Sequence, residues 1–288
     1  PRTSPRPSPS SAPAHVTRVK QLRRLSSSRN PALMLVRSLD AKRTRRDRRM
    51  VVVEGEDLID AALAAGVTPI LLLVDEERVD EDDPRLLATA QVDERYTVPT
   101  DLMKQVSTMG FAPRMIGVFA QPDAPAFRDV SMPPSLALWL AGVGDPGNVG
   151  TLVRTAVAMG CEWVAIGPGS ADPFNPKAVR AAMGATFGVP LLEGVKAEDL
   201  ATRPGVRMIA AVVEGGAPPW EVDLVAPSLI ALGAERAGLD VSMGPFTDEH
   251  EVVRVTIPQE STAESLNVAA AGAILLAEAR RQRALQRS

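Results

Sequence analysis

Residues 135–159 read SLALWLAGVGDPGNVGTLVRTAVAM, and this stretch decides the class of fold. Its opening six residues form a short, nearly unbroken apolar run ending at glycine, the pattern of a strand buried on both faces. A glycine-rich turn fills 142–147. Val149, Leu152, Val153 and Ala156 then recur at helical spacing until Gly160, a stop signal. The reading predicts a strand over 135–140 and a helix over 149–159 capped by Asn148.

Outward from that unit the alternation repeats. Strands are expected at 162–166, 207–213, 228–232 and 252–257, and helices at 177–183 and 265–282. Upstream, Val19, Leu22 and Leu25, then Ala32, Leu33, Val36 and Leu39, sit at helical spacing and predict helix across 16–41. Strands follow at 50–53, 69–74, 96–98 and 115–119, with a helix over 57–65. Strand–helix alternation on this scale predicts an α/β architecture with at least partly parallel strands. Residues 121–134 hold four prolines and few apolar residues, which places a linker there. The expected organisation is a disordered Pro/Ser-rich leader over 1–15, a first domain over 16–120, the linker 121–134, and a second domain over 135–288.

Composition narrows the function. The single cysteine, Cys161, excludes an internal disulfide and a cysteine-based metal centre, and two histidines, His15 and His250, argue against a histidine one. No metal is therefore expected. The longest apolar run, 268–277, stops at Glu278, far short of the ~18 residues that a membrane span needs. No membrane partner is expected, and the location read from this is cytoplasmic. Net charge is −3, but it is unevenly spread. Residues 1–50 carry 14 of the 32 Lys and Arg and 2 of the 35 acids, +12 against −15 on the rest. A basic head on an acidic body points to a polyanionic partner. Arg45, Arg46, Arg48 and Arg49 are the densest part of that head and the candidate residues for binding such a polyanion.

Three motifs carry chemistry. The turn Gly142-Val143-Gly144-Asp145-Pro146-Gly147 matches a dinucleotide fingerprint literally. Pro146, however, removes an N–H donor from the supposed phosphate cradle, and no ribose-binding acid stands at the next strand end. A nicotinamide-dependent oxidoreductase is thus the weakest alternative. Second, the strand over 228–232 runs into Gly233 and Glu235. A glycine lets a ligand approach closely, and the carboxylate offers acceptors. Third, the strand ending at Ile257-Pro258 is followed by Ser265-Leu266-Asn267-Val268 at the head of an Ala-rich helix. Singly, Ser265 and Asn267 read as well as helix caps as they do as ligands.

Asn148-x-Gly150-x-x-x-Arg154-Thr155-Ala156, Gly233-x-Glu235, and Ile257-Pro258 followed by Ser265-Leu266-Asn267-Val268 resemble, in order and spacing, the three motifs of the SpoU/TrmH family. These are SPOUT-class RNA ribose 2′-O-methyltransferases. The resemblance implies a C-terminal SPOUT domain with a deep trefoil knot around a mostly parallel sheet, plus a smaller N-terminal α/β RNA-binding domain. It implies S-adenosylmethionine as cofactor, held by Gly233, Ile257, Leu266 and Asn267. It implies a catalytic cluster of Asn148, Arg154, Glu235, Ser265 and Asn267, a homodimer, and RNA as substrate, ribosomal before transfer RNA. A noncatalytic RNA-binding protein on the same fold is the main alternative; the presence of Arg154, Glu235, Ser265 and Asn267 disfavours it. One stretch, Arg180-Ala181-Ala182-Met183-Gly184-Ala185, departs from the family pattern. Ala182 stands where serine is usual, which removes a hydroxyl from the expected substrate surface.

Overall fold

The computed structural model describes residues 22–80, 82–203, 205–233, 239, 251–260 and 266–286. In the first half, β1 (Arg23–Arg24), α1 (Pro31–Ser38), α2 (Lys42–Arg48), β2 (Met50–Glu54), α3 (Glu56–Ala64), β3 (Leu71–Asp75), α4 (Pro84–Ala88), β4 (Glu94–Val98), α5 (Thr100–Val106) and β5 (Met115–Ala120) follow in chain order. The strands form one sheet in the order β1-β4-β3-β5-β2, in which β5 runs antiparallel to both its neighbours. The second half contributes β6 (Leu136–Ala141), α6 (Pro146–Met159), β7 (Val164–Ile166), α7 (Pro176–Ala182), β8 (Leu191–Glu193), α8 (Ala197–Ala201), β9 (Arg207–Ala211), β10 (Ser228–Gly233), β11 (Glu251–Val255) and α9 (Val268–Leu285). Its sheet runs β11-β9-β10-β6-β7-β8, with every described pairing parallel. The α/β class and the mostly parallel sheet expected from the alternation are both found. The C-terminal segment is implied to be knotted, and its residues 234–238, 240–250 and 261–265 lie outside those described.

Two expected helices take a different form. Within the helix expected over 16–41, residues 16–21 lie outside the described residues. Beyond them, Arg23 and Arg24 pair in parallel with Tyr96 and Thr97 as an edge strand, and helix begins only at Pro31. Proline lacks the N–H that an interior helical position needs, but it suits the first turn, and Asn30 caps Ala32. The dense basic cluster is itself a helix, α2, ended by Arg49 in a left-handed conformation (φ 52°). In the decisive unit, α6 begins three residues before its expected start. Asp145, not Asn148, is the N-cap: its Oδ1 accepts from the Asn148 N–H at 3.0 Å, and Pro146 occupies the first helical position. Gly160 (φ 83°) ends the helix.

The two sheets share one hydrophobic core. Val51, Val53, Ile59 and Phe119 of the first half pack in the same cluster as Leu138, Leu152 and Val179 of the second. Three contacts fix the docking. A Cβ on Gly184 would overlap Ala61 of α3, so only glycine lets α3 approach. The rings of Phe119 and Phe187 lie 5.7 Å apart. Arg180 reaches Glu54 at 2.6 Å and the Thr108 hydroxyl at 2.7 Å. The stretch around Arg180 therefore builds a domain interface. Ala182 is 1% exposed, so a hydroxyl there would point into the core and not toward a substrate surface; the expectation for that position is corrected. The segment between the sheets is also tied down. A 3-10 turn, Phe127–Asp129, sets Phe127 edge-on to Trp163, and Arg203 donates to the carbonyls of Arg128 and Val130.

Candidate active site

Strand order locates a crevice. The chain winds outward from β6 through β7 to β8, then crosses to β9 and returns through β10 to β6's other side. Winding therefore reverses between β6 and β10, and such a switch point opens a crevice at the carboxyl ends of the strands. Gly233, the last residue of β10, lies opposite Ala141, the last residue of β6. Gly142 follows with φ 83°, a conformation that glycine adopts without strain. Ser170 holds this turn: its hydroxyl accepts from the N–H groups of Gly142 and Val143 at 3.0 Å each and donates to Leu140 O at 2.8 Å.

Two helices bring the first and third motifs together over that crevice. At the head of α9, Asn267 Oδ1 accepts from the N–H groups of Ala269 and Ala270. Its Nδ2 donates to Asn148 Oδ1 at 3.1 Å, so one side chain serves as both helix cap and site contact. Close helix packing makes this meeting geometrically available. A Cβ on Gly150 would overlap the Ala178 carbonyl of α7, and one on Gly272 would overlap Leu152 where α9 crosses α6. Gly150 of the first motif is thus explained by packing.

Besides Gly233 and this pair, three more of the residues expected in the site are among those described. Ile257 and Leu266 are half-buried, on the segments that leave β11 and enter α9. Arg154 is exposed on α6 and makes no hydrogen bond or ion pair with a described residue. Glu235 and Ser265 lie outside the described residues. Sequence reasoning missed Asp145, Ser170 and Lys177. Lys177 Nζ donates to Asp145 Oδ2 at 2.6 Å. That ammonium, with the Asn148 N–H, holds the Asp145 carboxyl below the usual carboxylate range. An Asp-Pro pair is itself a helix-start signal, so the cap was legible; its lysine partner, 32 residues away, was not.

The basic cluster divides. Arg46 and Arg48 are exposed, and Arg49 is exposed with an ion pair to Asp123 at 2.9 Å. Arg45 is 1% exposed, and its guanidinium bonds Asp172. A side chain withdrawn from solvent cannot meet RNA, so Arg45 is removed from the candidate RNA-binding residues. Through Arg45 and Asp172 the helix meets the loop that follows β7, at the carboxyl ends of the strands, the end from which the first motif also leaves β6. Burial, with the Asp172 charge, raises the Glu193 carboxyl at the end of β8 above its ordinary value, against the opposing charges of Arg46 and Lys42 of α2 and of Arg49 at its end. β8 stands two strands from β6, about 10 Å along the sheet. Among the described residues no group of His, Cys, Asp or Glu is arranged to hold a metal, and no helix is long and apolar enough to cross a membrane.

These features define an α/β protein of two sheets, with a topological switch point between β6 and β10 and a basic helix at the carboxyl ends of the second sheet's strands. Residues 135–277 match the model of the SpoU rRNA methylase family, and residues 30–116 match that of the MRM3-like substrate binding domain. The chain is 30% identical over 264 residues to the 23S rRNA (guanosine(2553)-2′-O)-methyltransferase RlmP of Bacillus subtilis, covering 88% of this chain and 98% of that protein. It is 26% identical to the human mitochondrial rRNA methyltransferase 3, over 98% of this chain and 84% of that one. A crystal structure of an S-adenosylmethionine-bound rRNA methyltransferase from Sinorhizobium meliloti superimposes with a TM-score of 0.78 at 28% identity, covering 91% of this chain and 98% of that one. The chain belongs to the SpoU family of methyltransferases.

Proposed function

We propose that this protein transfers a methyl group from S-adenosylmethionine to a ribose 2′-hydroxyl of ribosomal RNA. The observation that carries the reading is the Asn267–Asn148 hydrogen bond, which joins the first and third motifs over the switch-point crevice beside Gly233. Relatives named as rRNA methyltransferases, matched along both domains, support the substrate.

The residues present fit the cofactor. Gly233 offers backbone without a side chain at the strand end, and Ile257 and Leu266 offer half-buried aliphatic surface for an adenine ring. The cofactor has no phosphate, so the N–H missing at Pro146 has nothing to meet. When bound, S-adenosylmethionine supplies a methyl carbon activated by its sulfonium. Gly233, Ile257, Leu266 and Asn267 hold it in this reading, largely through backbone. Asn148 and Asn267 set amide groups around the reacting oxygen. Arg154 clamps a neighbouring phosphate and stabilises negative charge developing on the 2′-oxygen; a guanidinium, a fixed cation with five donors and no acceptor, suits that role better than that of a base. Glu235 and Ser265 complete the polar cluster. Positioning the 2′-hydroxyl against the methyl carbon would supply several kcal/mol of the barrier reduction; the oxygen–methyl bond would form as the sulfur–methyl bond broke, with the hydroxyl proton released to solvent.

Arg46, Arg48 and Arg49 capture RNA backbone beside this site. The active form is a homodimer working in the cytoplasm; Ile274 and Leu285 of α9 (41% and 64% exposed), with Trp220 (61%), offer apolar surface for a second copy.

Titration calorimetry tests the class of ligand. S-adenosylmethionine is expected to bind and a nicotinamide dinucleotide to give no heat; binding of the dinucleotide alone would overturn the reading.

A further inference from the structure

Arg45 and Asp172 form a buried ion pair between the two domains. The side chains are 1% and 5% exposed. Arg45 Nη2 and Nε donate to Asp172 Oδ2 at 2.6 and 3.0 Å, and Nη1 donates to the carbonyls of Leu39 and Asp40 at 2.8 and 2.6 Å. The guanidinium therefore holds the turn between α1 and α2 through two successive carbonyls and ties it to the second sheet's half of the molecule. Apolar pairs of similar volume often hold a fold as well as a buried ion pair does. What the pair adds here is direction.

That direction leads to the site. Asp172 Oδ1 accepts from the Phe174 N–H at 2.8 Å, and its carbonyl accepts from the Asn175 N–H at 3.0 Å. Asn175 caps Lys177 N at 2.9 Å, and Lys177 Nζ reaches Asp145, whose other oxygen holds the Asn148 N–H. Asn148 then meets Asn267. One run of hydrogen bonds, passing along residues 172–177 into the first turn of α7, connects the basic helix to the first and third motifs.

We propose that the Arg45–Asp172 pair is a specificity-determining joint, which sets the distance between the RNA-capturing helix α2 and the methyl-transfer cluster and so selects the nucleotide that is methylated. The inference rests on the methyltransferase reading above. Arg45 and Asp172 act as positioning residues: neither touches RNA or cofactor.

The test compares wild type with the double variant R45M/D172N, which leaves no lone buried charge and keeps an acceptor for the Phe174 N–H. The probe is ribosomal RNA from cells lacking the enzyme, with methylated positions mapped and kcat/KM, S-adenosylmethionine affinity and the salt dependence of RNA binding measured. A misplaced joint is expected to cut kcat/KM by about 100-fold and to spread methylation to neighbouring nucleotides. Cofactor affinity and salt slope are expected to stay at wild-type values. F187L, at the same interface but outside the run of hydrogen bonds, is expected to lower Tm without moving the methylated position. Wild-type kcat/KM at an unmoved position in R45M/D172N would overturn the joint alone. A salt slope flattened by about one phosphate contact would overturn it by making Arg45 an RNA ligand. Movement of the methylated position in F187L as well would reduce the pair to ordinary packing. Failure of the wild type to methylate this RNA would remove the underlying reading and the joint with it.

Discussion

Arg154 and Arg45 carry the same charge in opposite situations. Arg154 stands exposed on α6, six residues beyond Asn148, while Arg45 is spent on Asp172 inside the molecule. Sequence pattern separated neither from an ordinary surface arginine; family spacing singled out Arg154, and composition alone swept Arg45 into the basic cluster. Its partner is 127 residues away, a distance that local pattern does not span. The account predicts that Arg154→Ala loses methyl transfer by about 100-fold or more, as removal of a transition-state charge partner does. Its calorimetric affinity for S-adenosylmethionine should match that of the wild type, and wild-type turnover would take Arg154 out of the mechanism. Gly150 makes a packing prediction. Its missing Cβ is the space through which the Ala178 carbonyl approaches, so Gly150→Ala should cost about 1–3 kcal/mol in denaturant unfolding. An unchanged midpoint would mean that α6 and α7 are free to separate.

At the scale of the element, α6 shows what was legible and what was not. Apolar spacing gave its face, and glycine gave its end. Its start was misplaced because two residues three apart are both good caps, and only Pro146 decides between them by fitting the first turn. The cap also carries a pH signature. Lys177 and the Asn148 N–H depress the folded-state pKa of Asp145, so its contribution is complete above the unfolded-state value and is lost as pH falls through the folded one. Asp145→Asn keeps a cap but loses the ion pair. Its Tm deficit should be present at neutral pH, shrink below about pH 4, and vanish in stronger acid; a deficit constant with pH would show that the carboxylate charge is not involved. Helix α2 makes the complementary point. A dense basic run was legible as charge, but its helical form and the inward turn of one arginine come from the domain interface. Neutralising Arg46, Arg48 and Arg49 together should flatten the salt dependence of RNA binding by up to about three phosphate contacts. Wild-type slope and affinity would leave these residues as solvated surface.

For the whole molecule, alternation of apolar runs was enough to give the α/β class, and three ordered motifs were enough to give the family. What the sequence could not supply was how the halves meet. That meeting depends on Gly184 against Ala61, Phe119 against Phe187, and Arg180 against Glu54, pairs whose members lie in different domains. Two of the residues expected in the site are likewise brought together by tertiary structure: Asn148 and Asn267 are 119 positions apart and meet where α6 and α9 pack, with Gly272 against Leu152. The proposed dimer belongs to this scale too. Sedimentation should give twice the chain mass, and Ile274→Arg should shift it toward the monomer; a monomeric wild type would contradict the assembly. The central claim is methyl transfer to ribose oxygen. The most direct measurement is nucleoside mass spectrometry of ribosomal RNA, taken from cells lacking the enzyme and incubated with this protein and S-adenosylmethionine. The account predicts one new nucleoside carrying its methyl on the ribose, absent when Arg154→Ala replaces the wild type. A methyl group found on a base, or none at all, would contradict it.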